Sequence, residues 1–345
     1  MRFPEFTEEW REYAIGNVLS IGNGRDYKHL HNGDIPVFGT GGYMTSVDDF
    51  LYDGESVFIG RKGTINKPLY YNGKFWTVDT LFYTHSFVNV LPKFAYCLFQ
   101  TINWLKYNEA SGVPSLSKAT IEKIKVRVPS MDEQGKLSNQ LFLLDKRIEV
   151  QNKIIEKLET LIKGIRHNVF QQLRKDVGFN STIGDILSFE QPQLYIVSST
   201  EYSDDSSCTP VLTANKAFIL GYTTETDGIY SKGDCIIIDD FTLDCKYVSF
   251  PFKIKSSAIK ILTAENKYIL RFIYEYLKSL DISTEEHKRH YITEIQPSSC
   301  ILPDDKTLTT IALMFESITN KLENEQSLAL MLNKQKQYLL SKMFI

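Results

Sequence analysis

The chain has 345 residues, of which 43% are hydrophobic and 23% are charged, and its formal net charge is −3. This composition is typical of a folded globular protein with about two domains, and it excludes a disordered or fibrous chain. No apolar run approaches the ~18 residues of a membrane span, and the start lacks the apolar stretch of a signal peptide. The five cysteines form no Cys-x-x-Cys pair. We therefore expect a reduced, cytoplasmic setting.

Residues 1–129 are predicted to form a first globular segment of mixed α and β structure. The stretch from Gly22 to Asp53 is rich in Gly, Asn and Asp, which is typical of loops joining short strands. Val57-Phe58-Ile59 predicts a buried strand, and residues 93–107 favour a helix. Asn72-Gly73 lies between two strand-like runs, so it predicts a hairpin turn.

Residues 130–175 are predicted to form a long helix with a continuous apolar seam. Ser130 and Glu133 fit a capping box, in which each side chain binds a free amide at the helix start. At about 1.5 Å per residue the helix is on the order of 60 Å long, and its seam needs a partner. The residues that have the 4,3,4,3 spacing of a coiled coil are Leu137, Leu141, Leu144, Ile148, Gln151, Ile155, Leu158, Ile162, Ile165 and Val169.

The same pattern returns 174 residues later in the chain, after a second globular segment at residues 176–303. Pro303 takes the place of Pro129, and Asp304 takes the place of the helix cap Ser130. Because the two segments share this frame but differ in their loops, we infer an internal duplication with two recognition heads. The second helix, residues 304–345, carries the seam Ile311, Phe315, Ile318, Leu322, Glu325, Ala329, Leu332, Lys336, Leu339 and Met343.

Motifs for catalysis are largely missing from the sequence. Gly60-Arg61-Lys62-Gly63-Thr64 lacks the spacing of a phosphate-binding P-loop, and the other glycine clusters fail the dinucleotide pattern. The histidines fall in no pattern typical of a metal site. Asp239 or Asp240 with Glu265 and Lys267 could hold a metal and activate water as in a nuclease, but such short patterns arise often by chance.

Basic and amide side chains in loops are the candidates for binding DNA, because they hold phosphates and read guanine and adenine edges. An ordinary solvated surface is the alternative for each single residue. In the first segment they are Arg25, Lys28, His29, Arg61, Lys62, Thr64, Asn66, Lys67 and Lys74. In the second they are Lys246, Lys253, Lys255, Lys260, His287, Lys288, Arg289 and His290.

Charge is distributed unequally between the two segments. Residues 1–130 hold 14 Lys or Arg against 13 Asp or Glu, whereas residues 176–304 hold 11 against 19. A protein that holds DNA unaided usually has a basic balance. Partner subunits would therefore supply much of the phosphate binding, or the basic groups would cluster on one face.

These features together resemble the specificity subunit of type I restriction-modification enzymes. The resemblance covers essentially the whole chain and depends on the order of several motifs along a duplicated plan. The motifs are Arg2-Phe3-Pro4-Glu5-Phe6 with Trp10, Phe58-Ile59-Gly60-Arg61-Lys62-Gly63-Thr64, Phe75-Trp76-Thr77-Val78-Asp79-Thr80, Ser111-Gly112-Val113-Pro114-Ser115-Leu116-Ser117, and Val128-Pro129 followed by Glu133-Gln134. The second segment lacks the Gly-Arg-Lys-Gly motif, and Asp304-Asp305 follow Pro303 where the first segment has Glu-Gln.

The resemblance implies two target recognition domains, each reading half of a split double-stranded DNA site. It also implies that the long helices pair as an antiparallel coiled coil, fix the gap between half-sites and dock modification and restriction subunits. S-adenosylmethionine, ATP and magnesium would then belong to those partner subunits, and this chain would need no cofactor. Two other hypotheses stay open: a coiled-coil scaffold that joins two protein partners without reading DNA, and a nuclease.

Overall fold

The computed structural model describes residues 2–215, 217–280 and 288–344. The chain divides into two compact units: Met1–Asn152 with Ser327–Ile345, and Lys153–Gln326. Within the described residues, no helix combines the length and the apolar character needed to cross a membrane.

The first unit is built around a six-stranded sheet with the strand order β2-β7-β5-β6-β3-β4. Neighbouring strands are antiparallel except β3 and β6, which are parallel. A separate antiparallel pair joins β1 to β8. The strands are β1 (Arg11–Ala14), β2 (Ser20–Asn23), β3 (Asn32–Gly39), β4 (Gly42–Val47), β5 (Tyr52–Gly60), β6 (Leu69–Thr77), β7 (Leu81–His85) and β8 (Lys125–Val128). The helices are α1 (Ile15–Val18), α2 (Pro92–Thr101), α3 (Lys118–Lys123) and the long α4 (Met131–Asp176), with a 3-10 turn at Trp104–Tyr107.

The hairpin predicted at Asn72-Gly73 is wrong, because β6 continues through these residues without a turn and pairs with β5. Gly73 lies opposite Gly54 in that pair, and both have positive φ, +128° and +139°. Only glycine adopts such angles freely, so the ribbon bends there. The bend brings the ring of Tyr52 to 5.9 Å from that of Tyr83, although Tyr83 is in register with Phe58 further along β5.

The start of α4 is fixed to the first unit by two fully buried side chains, Glu133 and Gln134. The Glu133 carboxylate accepts hydrogen bonds from the Arg2 guanidinium at 2.8 and 2.7 Å and from the Trp10 indole at 3.3 Å. The predicted capping box is therefore wrong, since Glu133 binds the N-terminal segment instead of the helix start. Gln134 accepts from the Leu91 amide and donates to two backbone carbonyls.

The second unit contains a four-stranded sheet with the order β10-β16-β13-β14 and a three-stranded sheet with the order β12-β11-β15. A two-stranded pair joins β17 to β9. The strands are β9 (Ser181–Thr182), β10 (Ser188–Glu190), β11 (Thr209–Leu212), β12 (Ile219–Thr223), β13 (Cys235–Asp239), β14 (Cys245–Val248), β15 (Lys253–Ile254), β16 (Ile259–Thr263) and β17 (Ser299–Cys300). The helices are α5 (Ile183–Ile186), α6 (Lys267–Ser279) and the long α7 (Asp305–Met343), with a 3-10 turn at Pro192–Tyr195 and a π turn at Tyr291–Ile295.

In the second unit α6 is tied to the long helices by a buried ionic network. The Glu275 carboxylate, 1% exposed, accepts from Arg166 of α4 at 3.0 and 2.7 Å and pairs with Arg271 at 3.0 Å. Arg271 also donates to the Phe315 carbonyl and the Thr319 hydroxyl of α7. Charges buried this deeply are stable only when they are paired in this way.

Both long helices were predicted within a few residues of their observed ends. All seam residues of the two predicted lists are buried or half-buried. Asp304 caps α7 as expected, accepting the amides of Lys306 and Thr307 at 3.1 Å. The hydroxyl and amide of Thr307 hold the pKa of this carboxyl below its usual value.

Candidate nucleic-acid interface

The short connection Thr77–Leu81, between β6 and β7, is where separate loops of the first unit meet. The loop after β2 is fixed there because the amide of Gly24 donates to the Leu81 carbonyl at 3.2 Å. The amide of Arg25 donates to the Thr77 carbonyl at 2.8 Å. A side chain at Gly24 would place its Cβ 1.9 Å from the Val78 carbonyl oxygen, so only glycine allows this close approach.

The turn after β5 is fixed to the same connection from the other side. The amides of Arg61 and Lys62 donate to the Thr80 carbonyl at 2.8 and 3.2 Å. The Arg61 guanidinium also donates to the Asp79 carbonyl at 3.1 Å. Gly60 is required because a Cβ there would lie 2.2 Å from the Thr64 carbonyl oxygen, and Gly63 has a φ of +96°.

Two motifs that are distant in the sequence pair at this turn. The Gly63 amide donates to the Pro114 carbonyl, and the Leu116 amide donates to the Arg61 carbonyl, both at 2.8 Å. Glu109 holds the end of the loop that contains Pro114, because its carboxylate accepts from the hydroxyls of Thr120 and Ser117. These hydroxyls lower the pKa of Glu109, so the carboxylate stays ionised.

Exposed cations therefore lie on both sides of Thr77–Leu81. Arg25, Lys28 and His29 are exposed on one loop, and Arg61 and Lys62 are exposed on the other turn. Residues 24–31, 61–64 and 77–81 contain four Lys or Arg against two Asp, a local formal charge of +2. Such a surface can bind phosphates and present guanidinium groups to base edges.

Trp76 supports the first of these loops. Its indole donates to the Arg25 carbonyl at 2.8 Å, and its ring lies edge-on to the His29 imidazole, with centroids 5.8 Å apart. The side chain is buried, 4% exposed. Trp76 therefore positions the cationic loop from below and is not itself available for base stacking.

The other candidates of the first unit are placed less closely together. Thr64, Asn66 and Lys67 are exposed and follow the cationic turn, around the buried Ile65. Lys74 lies over the ring of Phe50, with its ammonium group 4.9 Å from the ring centroid. It is next to the glycine bend of β6 and apart from the residues that converge on Thr77–Leu81.

The structure corrects part of the second candidate set. Lys253 is 3% exposed, and its ammonium group pairs with Glu225 at 2.9 Å and donates to the Asp227 carbonyl. Lys260 is 1% exposed and pairs with Asp240 at 3.3 Å. Both ammonium groups are used inside the second unit, so we leave these lysines out of the proposed interface.

The remaining candidates of the second unit differ in exposure. Lys255 is exposed directly after β15, and Lys246 is half-buried on β14. Lys288 pairs with Glu294 at 3.2 Å, and Arg289 is exposed. His290 is buried, and His287 lies outside the described residues.

The nuclease pattern does not assemble into a site. The Asp239 carboxylate accepts the amides of Phe241 and Thr242 and so shapes the turn after β13. Asp240 is occupied by Lys260 and by the amide of Tyr291. Within residues 2–215, 217–280 and 288–344, no group of three or more His, Cys, Asp or Glu side chains could hold a metal ion.

The β3–β4 hairpin also belongs to this surface, although the sequence did not predict it. Val78 donates its amide to the Phe38 carbonyl at 3.0 Å, which fixes the end of β3 to the shared connection. The hairpin turns at Thr40-Gly41-Gly42, one of the glycine clusters that fail the dinucleotide pattern. Two glycines between strand-like runs were the signal that could have identified it.

The structure is similar to the S subunit of a type I restriction-modification system from M. genitalium, with a TM-score of 0.77 over 99% of this chain and 97% of that one. At 16% sequence identity, this similarity concerns the fold alone.

Part of the sequence is similar to a known family. Residues 7–160, slightly less than half of the chain, match the family model described as type I restriction modification DNA specificity domain. The chain is 41% identical over 143 residues to the specificity subunit of the type I restriction enzyme EcoR124I/EcoR124II of Escherichia coli, and 25% identical over 167 residues to that of EcoprrI from the same species. The alignments cover 39% and 45% of this chain but only 35% and 40% of those relatives.

Proposed function

We propose that this chain is the non-catalytic DNA-specificity subunit of a type I restriction-modification complex. Each head, residues 1–129 and 176–303, reads one half of a bipartite, gapped target in double-stranded DNA. The observation that carries the proposal is the convergence of exposed cations on Thr77–Leu81, in the part of the chain that matches the specificity-domain family model.

An internal duplication is supported by equivalent backbone hydrogen bonds in the two units. The Val78 amide donates to the carbonyl of Phe38 at 3.0 Å, and the Lys255 amide donates to that of Leu212 at 3.1 Å. Phe38 ends the pairing of β3 with β6, which is parallel, and Leu212 ends the pairing of β11 with β15, which is also parallel. The duplication explains how one fold provides two recognition surfaces.

The two surfaces differ where it matters for recognition. The Arg61 amide donates to the Thr80 carbonyl in the first unit, and the Asp240 amide donates to the Ala258 carbonyl in the second, at 2.8 and 2.7 Å. Asp240 therefore stands where the first unit has Arg61, and it is buried. An exposed cation in one unit and a buried, paired carboxylate at the equivalent position of the other support two different half-sites.

An antiparallel pairing of α4 and α7 is supported by contacts inside each unit. In the first, Leu141 packs in one cluster with Leu340, and Asp145 pairs with Lys336 at 2.5 Å. In the second, Phe170 and Leu173 share a core with Leu308 and Phe315. Residue numbers fall along α7 as they rise along α4, as an antiparallel coiled coil requires. Such a pair would fix the gap between half-sites.

Modification and restriction subunits are the proposed protein partners, and they would bind S-adenosylmethionine, ATP and magnesium. A groove of about 710 Å³ in the first unit supports a docking role, since Tyr70, Tyr96 and Phe142 line it together with Leu143, which is 70% exposed. Charged and amide side chains line the same groove, and aromatic groups with polar groups around them are typical of protein interfaces. The complex would act on DNA in the cytoplasm.

The test is a map of adenine methylation in the host genome with and without this chain. Loss of one bipartite, gapped motif on deletion is the expected result, and it would name both half-sites. An unchanged map, combined with recovery of protein partners only, would support the scaffold hypothesis instead.

A further inference from the structure

The tip of the β3–β4 hairpin, residues Thr40–Met44, exposes two large apolar side chains. Tyr43 is 64% exposed and Met44 is 51% exposed. Gly42 has a φ of +107°, which allows a tight turn that projects the residues after it. Large apolar side chains exposed on a hairpin tip can contribute to a surface that binds something.

This hairpin tip lies beside the cationic turn. A Cβ atom on Gly63 would lie 3.6 Å from the Thr40 hydroxyl, so the two turns are neighbours. Both are fixed to the same connection, by the amides of Val78 and Arg61. Cations that bind phosphates here would therefore bring the hairpin tip to the DNA at the same time.

Tyr43 is held before any ligand arrives, and the position of Met44 depends on a glycine. The Tyr43 hydroxyl is hydrogen-bonded to that of Ser46 at 3.1 Å, and its ring lies edge-on to Phe38, with centroids 6.5 Å apart. The Met44 sulfur occupies the space over Gly39, 2.7 Å from where a Cβ would be. Side chains held in this way lose little conformational entropy on binding.

The second unit repeats the arrangement with a different apolar residue. Ile219 pairs with Leu212 across the β11–β12 hairpin, as Tyr43 pairs with Phe38 across β3–β4. Ile219 is 41% exposed. An exposed apolar side chain at the same place in both hairpins is an independent indication that the position has a role.

We propose that Tyr43 and Met44 in the first head, and Ile219 in the second, recognise thymine through its 5-methyl group in the major groove. The methyl group is the apolar feature that distinguishes thymine there, and apolar side chains are its usual partners. This inference rests on the proposed function. Each hairpin then determines an A·T position of its own half-site, while the cations bind phosphates.

The first experiment maps adenine methylation in hosts that carry variants of the chain. Tyr43→Ser with Met44→Ser is expected to relax one A·T position of one half-site and to leave the other half-site unchanged. Ile219→Ser is expected to do the reverse. Tyr43→Phe keeps the ring and leaves the motif as it is.

Val88→Ser is the matched control, since Val88 is 54% exposed and lies beyond the opposite end of β7, where its amide donates to the Val18 carbonyl. It is expected to leave the motif intact. If the hairpin variants also leave it intact, or if they reduce methylation equally at all sites, the inference is overturned. If the wild-type chain determines no gapped motif, the proposed function has failed instead.

The second experiment tests the methyl group directly, with the complex purified from the host and a duplex that carries the mapped motif. Deoxyuridine in place of thymidine at the relaxed position should weaken binding by wild type about fourfold, the loss expected for one buried methyl group. It should weaken binding by the Tyr43→Ser, Met44→Ser variant by less than twofold. Equal losses for both proteins would contradict the inference.

Discussion

Removal of Arg166 is a direct test of how the second head is held to the long helices. Arg166→Met takes away both hydrogen bonds to Glu275 Oε2, at 3.0 and 2.7 Å, and leaves the carboxylate with Arg271 alone. Glu275 is 1% exposed, so water cannot replace the lost partner. Arg271 still pairs with the other carboxylate oxygen, but a buried charged acceptor that loses its hydrogen-bond donors costs about 3 kcal/mol.

For a unit of 174 residues, about 3 kcal/mol corresponds to a fall of roughly 6–12 °C in its unfolding temperature. Differential scanning calorimetry of the full chain measures this value. The triple variant Arg166→Met, Arg271→Met and Glu275→Leu removes all three buried charges together, and it should recover at least half of the loss. A single variant within 1 °C of wild type, or a triple variant less stable than the single one, would refute the reasoning.

Three further predictions concern the seam, the cationic turn and the thiols. Leu141→Ala should lower the free energy of unfolding by about 3 kcal/mol in urea titrations, because Leu141 is fully buried. The control Leu143→Ala, on the exposed side of the helix, should change it by less than about 0.5 kcal/mol. Arg61→Ala should relax one base position of a single half-site in the methylation map; an equal loss on all DNA would identify a phosphate contact. At pH 8 a thiol reagent should modify the half-buried Cys208 first. The other thiols should react slowly, because burial raises the pKa of Cys97 and Cys235 to about 12 and that of Cys245 and Cys300 to about 11. Fast reaction of two or more thiols would contradict the packing.

The long helices could be predicted because their seam is a local pattern. A 4,3,4,3 spacing needs only the chain's own periodicity, and α4 and α7 follow it closely. The prediction of a hairpin at Asn72-Gly73 was wrong because the structure there depends on a residue that is distant in the sequence. The role of Gly73 depends on Gly54 across the ribbon, and a single segment does not show which glycine it will face.

The candidate site was predictable residue by residue but not as an arrangement. Glycines around Arg61 and Lys62 indicated a tight cationic turn, and the structure has one. Its neighbours come from residues 24–31, 40–44 and 110–116. Backbone hydrogen bonds join the first loop and the end of β3 at Phe38 to Thr77–Leu81, and join Pro114 and Leu116 to the cationic turn itself. Lys253 shows that a basic residue in the sequence does not by itself indicate a DNA-binding side chain, because its ammonium group is paired inside the second unit.

The central claim is that two heads on one spacer read two half-sites at a fixed gap. It is tested most directly by methylation of duplexes that carry both mapped half-sites while the gap is shortened or lengthened one base pair at a time. The account predicts efficient methylation at a single gap length and none when either half-site is removed. Methylation that tolerates several gap lengths, or that needs one half-site only, would contradict it.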